Sequence, residues 1–466
     1  MGSESNEAVR YLQERLNLGE TLGSDHSVLG PDVVMPSEFP VTALAASAVT
    51  IATGAAAELW AARNDCTVPA VTVHSVDASA AFRAEQLFEP DGWKLPPLWD
   101  PLAGNYRSKD GWIRLHTNYQ HHRDAAALAL GASDRETIAK VLSELTSDEA
   151  EAKVVAAGGA AAAMRTREQW LASAPGLAAM SASPLESHRR SEPHHDAAWL
   201  AREAPLPFSG LRVLDLTRVI AGPVCTKYLA AYGADVLRID PPGFAEVGSL
   251  LPETTLGKRT VVLDLNVSED REIFESLVIE ADVIVSGLRA DALANLGYSE
   301  KQLLALNPAV ILAKLNAYGW EGPWQNRRGF DSLVQMSCGI AATATGGRTK
   351  IQHSFQPNPL PAQALDHGTG WLLGAAIASA LLHQLRSKQP STIRASLVGT
   401  AQLLYELQSR RARDEAPAPN VAVKLERSDT WWGRARRVAM PGIIEGLKPS
   451  WQQEVGPLGR HLPVWW

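Results

Sequence analysis

An acidic residue and a histidine, Asp366-His367, open an apolar, small-residue stretch in "PAQALDHGTGWLLGAA" (residues 361–376). A carboxylate at a helix mouth is a candidate nucleophile. Its intrinsic pKa lies near ~3.9, so it is charged at neutral pH unless buried alone. It can attack an activated acyl carbonyl and hold the acyl group as an anhydride. A helix N-terminus steadies the resting anion by about 0.3–1 kcal/mol when exposed. Asp is also a common helix N-cap, and taken alone the stretch favours that role. His367 reads as a polar neighbour rather than a base. Gly368 and Gly370 are expected to leave the surroundings open to a large substrate.

Other site chemistries find little footing. The turn "TRVIAGP" (217–223), between a strand and a helix, has one glycine followed by Pro223. Pyrophosphate binding in a G-x-G-x-x-G turn needs glycines so that the backbone can come close, so no nicotinamide or flavin is expected. There is no Walker loop and no G-x-S-x-G elbow. His121-His122 and His194-His195 are adjacent pairs expected in solvated segments, and no metal site is expected. Cys66, Cys225 and Cys338 are far apart and form no disulfide framework.

The elements that would carry Asp366 follow from apolar runs. "LRVLDL", "DVLRID", "TVVLDL", "DVIVSG" and "AVILAKL" are short β-branched runs alternating with helical segments. That pattern predicts a parallel sheet covered by helices on both faces. Residues 1–35 read as a loosely attached helix and loop. Residues 36–95 hold helix, strand and helix, and 96–180 a smaller α+β unit with a Lys-Asp-Gly turn before "WIRL". Within it, "SDEAEAKVVAAGGAAAAMRTREQWL" predicts two helices broken at Gly158-Gly159. Residues 181–205 read as a polar linker, 206–408 as the large sheet domain and 409–466 as a Trp-rich tail packing on it. Residues 40–56, "PVTALAASAVTIATGAA", echo the Asp366 stretch at an offset of about 321, pairing Leu44 with Leu365 and Ala45 with Asp366. Helix, strand and helix then occur twice in the same order.

The 466 residues, 45% hydrophobic and 20% charged, suffice for several domains with a large core. A formal charge of −7 argues against nucleic acid as a partner. No secretory leader or transmembrane run is read, and a cytoplasmic location is expected.

Residues 206–340 resemble the class III CoA-transferases, a family that includes formyl-CoA transferase, carnitine CoA-transferase and the α-methylacyl-CoA racemases. The blocks are "LPFSGLRVLDLTRVIAGPVCTKYLAAYGADVLRIDPP", "GKRTVVLDLN", "ADVIVSGLRADALANLGYSEKQLLALNPAVILAKLNAYGWEGPW" and "RRGFDSLVQMSCGIA". The resemblance runs on through "LPAQALDHGTGWLLGAAIASALL", weakly into the tail, and takes in "YRSKDGWIRL" as the small domain. It implies an α/β fold, with a Rossmann-like parallel sheet in a large domain and a smaller α+β domain. It also implies a chain of two fused, trimmed copies: a pseudo-dimer with one competent site, a homodimer of such chains being left open. In this family the acid at the position of Asp366 is the nucleophile. The implied reaction moves CoA between carboxylic acids, with acyl-CoA and a small carboxylic acid as ligands and no permanently bound cofactor. The implied CoA-binding positions are Arg218, Val219, Ile220 and Ala221, then Arg238 and Asp240, then Gly287, Leu288 and Arg289, with Arg328 meeting a phosphate. Arg218 and Arg289 are alternatively solvated surface arginines. Lys258-Arg259 is expected as an exposed strand start, and Asp331 either orients the site or caps a helix.

Two departures matter. Phe330 replaces the histidine that racemases carry before the Asp of their "GxD" block, which argues against racemisation. "SGLRAD" replaces the usual Asn-Phe-x-Pro-Gly loop. An acyl-CoA isomerase or CoA-lyase on the same scaffold and a non-catalytic CoA-binding protein remain alternatives. Trp431 and Trp432 are a place where the substrate pocket would be shaped, or else an apolar interface.

Overall fold

The computed structural model describes residues 3–18, 26–191, 204–289, 291–343, 356–410 and 421–466. The expected His194-His195 pair lies outside them. The large sheet has seven strands: β1 (Leu185–Arg189), β2 (Arg212–Leu216), β3 (Asp235–Asp240), β4 (Arg259–Val262), β5 (Val283–Ser286), β6 (Ile311–Asn316) and β7 (Ser391–Ser396). Their spatial order is β4-β3-β2-β5-β6-β7-β1. All neighbours are parallel except β1, which runs antiparallel on β7. The chain winds outward from β2 to β4 and then restarts at β5 on the other side. The switch point between β2 and β5 is where a doubly wound sheet opens a crevice at its carboxyl ends.

Both faces are covered. Val213, Val236, Val283 and Ile311 join one core. Their neighbours Leu214, Leu237, Ile284 and Leu312 join another beneath the helices Ser268–Glu280 and Glu300–Leu306. The first core is capped by α1 (Val41–Asn64), α2 (Ala221–Ala231), α3 (Asp331–Ser337), α4 (Ala364–Ser387) and α5 (Leu397–Gln408). α1 is long and apolar enough to cross a membrane but is buried inside the protein. Its many Ala, Ser and Thr side chains let α4 pack along it.

α1 and α4 are a matched pair. Each has 24 residues, and each ends in a left-handed cap, at Asp65 and Lys388. Their N-caps share one geometry: Pro40 at φ −76, ψ 61 and Gln363 at φ −75, ψ 62. Aligned on these caps, Asp366 corresponds to Ala43, not to Ala45. An Ala-Leu match is weak in an Ala-rich helix, whereas cap geometry fixes the register.

Four further expectations are corrected. Residues 185–189, read as linker, are the edge strand β1, whose backbone pairs with 391–395. The N-terminal helix Ser3–Arg15 is firmly seated: Val9 and Leu12 are fully buried, and Tyr11 and Arg15 both bind Glu406. Ala161–Ala163 is a strand rather than helix, paired with Trp112–Leu115. Its small side chains fit between that strand and α3, and tertiary packing overrides alanine's helix preference. Lys258 and Arg259 are buried, because Asp215 and Asp235 on neighbouring strands neutralise them at 2.9 and 2.8 Å. The strands Gly104–Arg107, Trp112–Leu115 and Ala161–Ala163 with the helices Gln120–Leu130, Arg135–Glu144 and Ser147–Ala156 form the smaller α+β unit around Ile113, Leu115 and Ile138.

Candidate active site

The carboxyl ends of β2, β5 and β6 meet the N-terminus of α4 at the switch point. The loop leaving β2 is held from beneath by Asp215, fully buried in that strand. Its carboxylate accepts hydrogen bonds from the Thr217 N–H, the hydroxyls of Thr217 and Thr226, and the Lys258 ammonium. Above it Val219 sits at φ +64. A β-branched residue there stores strain of about 1–3 kcal/mol, which persists only where the surroundings dictate it. Its N–H donates to Glu246 at 3.3 Å.

Asp366 lies in the first turn of α4, and its side chain caps nothing. That role falls to Asp331 at the start of α3. One Asp331 oxygen accepts the N–H groups of Leu365 and Asp366 at 2.8 and 3.0 Å. The other accepts from the Gln335 amide, whose own carbonyl is fixed by the Leu360 N–H at 2.8 Å. So Asp331 caps a helix and orients the site, but the helix is α4 rather than its own. It also takes up the helix N-terminus that would have steadied Asp366. Among the described residues, the Asp366 carboxylate makes no hydrogen bond. Burial, then the nearby Asp331 charge, then Glu85, push its pKa well above the ordinary carboxylate value. Burial pushes Asp331 up to about 6 despite its three donors. An isolated carboxylate's pKa therefore does not describe Asp366. His367 turns away, with Nε2 3.0 Å from Glu85 and its ring stacked on Phe82.

The glycines beside Asp366 serve packing, not access. A Cβ on Gly370 would lie 2.4 Å from the Ala221 carbonyl oxygen, and one on Gly368 2.9 Å from Thr400. They let α4 approach α2 and α5.

Two cavities meet at Asp366, Val219 and Phe330. The outer one, about 360 Å³, opens over the switch point. Arg218, Ala221, Gly287, Leu288, Arg289 and Arg328 all line it. Arg218 pairs with Asp240 at 3.1 Å and lies over the Phe244 ring. Arg328 has no ion-pair partner among the described residues, and burial and the neighbouring Arg289 charge lower its pKa. His121 and His122 line the same cavity rather than a solvated segment. Burial, His121 and the Arg328 charge hold His122 down to about 3. Such an excess of cationic groups favours phosphates.

The inner cavity, about 270 Å³, lies on the other side of Asp366. Ile220 lines it and Val219 lines both. Its remaining walls include Glu85, Trp99, His116 and Asn118, all from the first 118 residues of the chain. His116 stacks on Phe330, rings 3.6 Å apart and 3° from parallel. Burial drives its pKa down to about 3, so it stays neutral and does not replace the racemase histidine.

Arg238 and Asp240 line neither cavity. They are fully buried and paired with each other at 3.0 Å, and Arg238 also binds Glu246 at 2.9 Å. They support Arg218 and Glu246 from behind, and Glu246 in turn accepts the Tyr119 hydroxyl at 2.7 Å. Trp431 and Trp432 line neither cavity; Trp431 is exposed and Trp432 packs toward Trp93.

Residues 208–429 match the family model described as CoA-transferase family III. The chain is 30% identical over 240 residues to the probable fatty acyl-CoA transferase Rv3272 of Mycobacterium tuberculosis, covering 47% of this chain and 59% of that one. It is 30% identical over 223 residues to the formyl-CoA:oxalate CoA-transferase of Afipia carboxidovorans, covering 45% and 51%. A solved structure of the hypothetical protein Rv3272 from M. tuberculosis is 28% identical, with a TM-score of 0.39, covering 46% of this chain and 61% of that one. The chain thus spans little more than half the length of these curated relatives.

Proposed function

We propose that this chain moves CoA between carboxylic acids through Asp366, on the strength of the match of residues 208–429 to the CoA-transferase family III model. The supporting observation is an Asp366 carboxylate with no hydrogen-bond partner among the described residues, standing where an arginine-rich outer cavity meets a second, inner one. CoA lies in the outer cavity, its phosphates met by Arg218, Arg289 and Arg328, and the acyl group points past Asp366 into the inner cavity.

An Asp366 oxygen attacks the thioester carbonyl carbon. The C–O bond forms, the C–S bond breaks, and CoA leaves as the thiolate with the electron pair. The product is an acyl-aspartyl anhydride. Thiolate attack on the aspartyl carbonyl then expels the donor acid as its carboxylate and leaves an aspartyl-CoA thioester. The acceptor carboxylate displaces the thiolate to form a second anhydride, and thiolate attack on its acyl carbon releases the new acyl-CoA and restores Asp366. Burial raises the carboxylate's basicity, which strengthens the nucleophile once it is ionised.

The test is intact-protein mass spectrometry after incubation with a panel of acyl-CoAs, followed by hydroxylamine. The expected result is a hydroxylamine-labile acyl or CoA adduct, absent from Asp366→Asn. Binding of acyl-CoAs with no adduct and no exchange into free acids refutes transfer.

A further inference from the structure

The inner cavity carries information about the acyl group that the family does not supply. It contains no lysine or arginine. Three carboxyl groups face it, from Glu85, Asp331 and Asp366, and its one imidazole, His116, is neutral. A second carboxylate at the far end of an acyl chain would meet like charge with no cation on the cavity wall to offset it; Arg114 stands over the Trp99 ring but does not line the cavity. Leu98, Trp99, Val247 and Leu250 make the rest of the wall apolar.

Two buried polar atoms on lining residues have no partner. Glu85 receives a hydrogen bond on Oε2 from His367 Nε2, while its Oε1 is buried and unpartnered. The Glu85 side chain is only 4% exposed. His116 Nδ1 is buried and unpartnered as well, in a residue 4% exposed. Buried polar atoms are nearly always paired, so two orphans on one cavity point to a ligand group that completes them. A carboxylate oxygen only accepts, so Glu85 needs a donor. A hydroxyl donates its single proton to Glu85 and, through a lone pair, can accept from an Nδ1–H of the imidazole.

Resting on the transfer reading for its orientation, we propose that the inner cavity selects an uncharged acyl group bearing a hydroxyl, with Glu85 as the residue that sets this specificity. The preference acts on the acyl chain, separately from the CoA contacts of the outer cavity.

The test measures binding to Asp366→Asn, which cannot form the anhydride, by calorimetry with 3-hydroxybutyryl-CoA, butyryl-CoA, succinyl-CoA and free CoA. The hydroxyacyl thioester is expected to bind about tenfold tighter than butyryl-CoA, and succinyl-CoA more weakly than either. Adding Glu85→Met should erase the hydroxyl preference while free CoA affinity stays unchanged. Adding Glu85→Gln, which keeps shape and hydrogen-bonding capacity, should relax the discrimination against succinyl-CoA even if the methionine variant does not fold. Succinyl-CoA binding as tightly as butyryl-CoA, or a ranking unmoved by either change, overturns the proposal, as does binding of every thioester no better than free CoA. If the ranking holds but wild type forms no labile adduct with any of the three thioesters, the transfer reading fails and the pocket assignment stands.

Discussion

Replacing Gly370 by alanine tests how α4 is held against α2. In an ordinary helix interior the change stabilises by about 1 kcal/mol, because glycine costs more backbone entropy. Here the new Cβ would lie 2.4 Å from the Ala221 carbonyl oxygen and 2.8 and 3.0 Å from Val224 Cβ and Cγ1. Ordinary contact begins near 3.4 Å, so the helices must part by about 1 Å. A backbone carbonyl cannot swing aside as a flexible side chain would. Overpacking of this kind costs about 1–3 kcal/mol, and the 2.4 Å approach to a backbone oxygen puts the cost at the upper end, so the balance is a net loss of up to about 2 kcal/mol. Asp366 lies one turn away from Gly370 on the same helix, so a shift of that size also misaligns the carboxylate, worth about 10²-fold in rate. Urea unfolding should show a lower midpoint at unchanged slope, and adduct formation should slow by a similar factor. If Gly370→Ala is about 1 kcal/mol more stable and acylates at the wild-type rate, the close approach of the two helices is not what positions Asp366.

Lys258→Met should cost about 3–5 kcal/mol in urea unfolding, since it strands Asp215 as a buried charge, and adding Asp215→Leu should recover part of the loss. An unchanged midpoint for Lys258→Met would contradict the buried pair. For pH, Asp331 binds its proton more tightly folded (about 6) than unfolded (3.8), and Asp366 is raised in the same direction. The folded state therefore holds more protons between those values, and this contribution to stability is present below about 4 and lost as pH rises through 6. Asp366→Asn should accordingly raise the melting temperature more at pH 7 than at pH 4; a shift equal at both would refute the raised value. Acylation of wild type should speed up as pH rises through the raised pKa of Asp366, well above the ordinary carboxylate range, because only the ionised carboxylate attacks. Arg328→Ala should weaken CoA binding about tenfold or more, a charge-assisted phosphate contact being worth about 1.5–3 kcal/mol, and should reduce the salt dependence measured by calorimetry.

The parallel sheet was legible because strands buried on both faces are continuous apolar runs, as in "VLDL" and "DVIVSG". β1 was not, because only Leu185 of its five residues is buried and its membership rests on backbone pairing with β7. Lys258 and Arg259 looked exposed because charge usually is. Their partners lie 43 and 24 residues away, a distance only the strand order closes. The loops after β2 and β5 were readable as the outer cavity. Arg238 and Asp240 were misplaced by one layer, because a strand end next to a ligand loop looks the same in sequence whether its side chains face the ligand or support the loop. The inner cavity was illegible: Glu85, Trp99, His116 and Asn118 carry no motif and meet Asp366 only through the fold. The repeat was visible in composition, but its register needed the two helix caps.

One polypeptide supplies both sides of the place where Asp366 stands, with residues 85–118 on one wall and 219–366 on the other. The two walls are tethered, so their encounter has an effective concentration set by the chain rather than by the solution. A site built in this way predicts a specific activity that stays constant as the protein is diluted; a site shared between separable chains would fade, and that result would refute the reading.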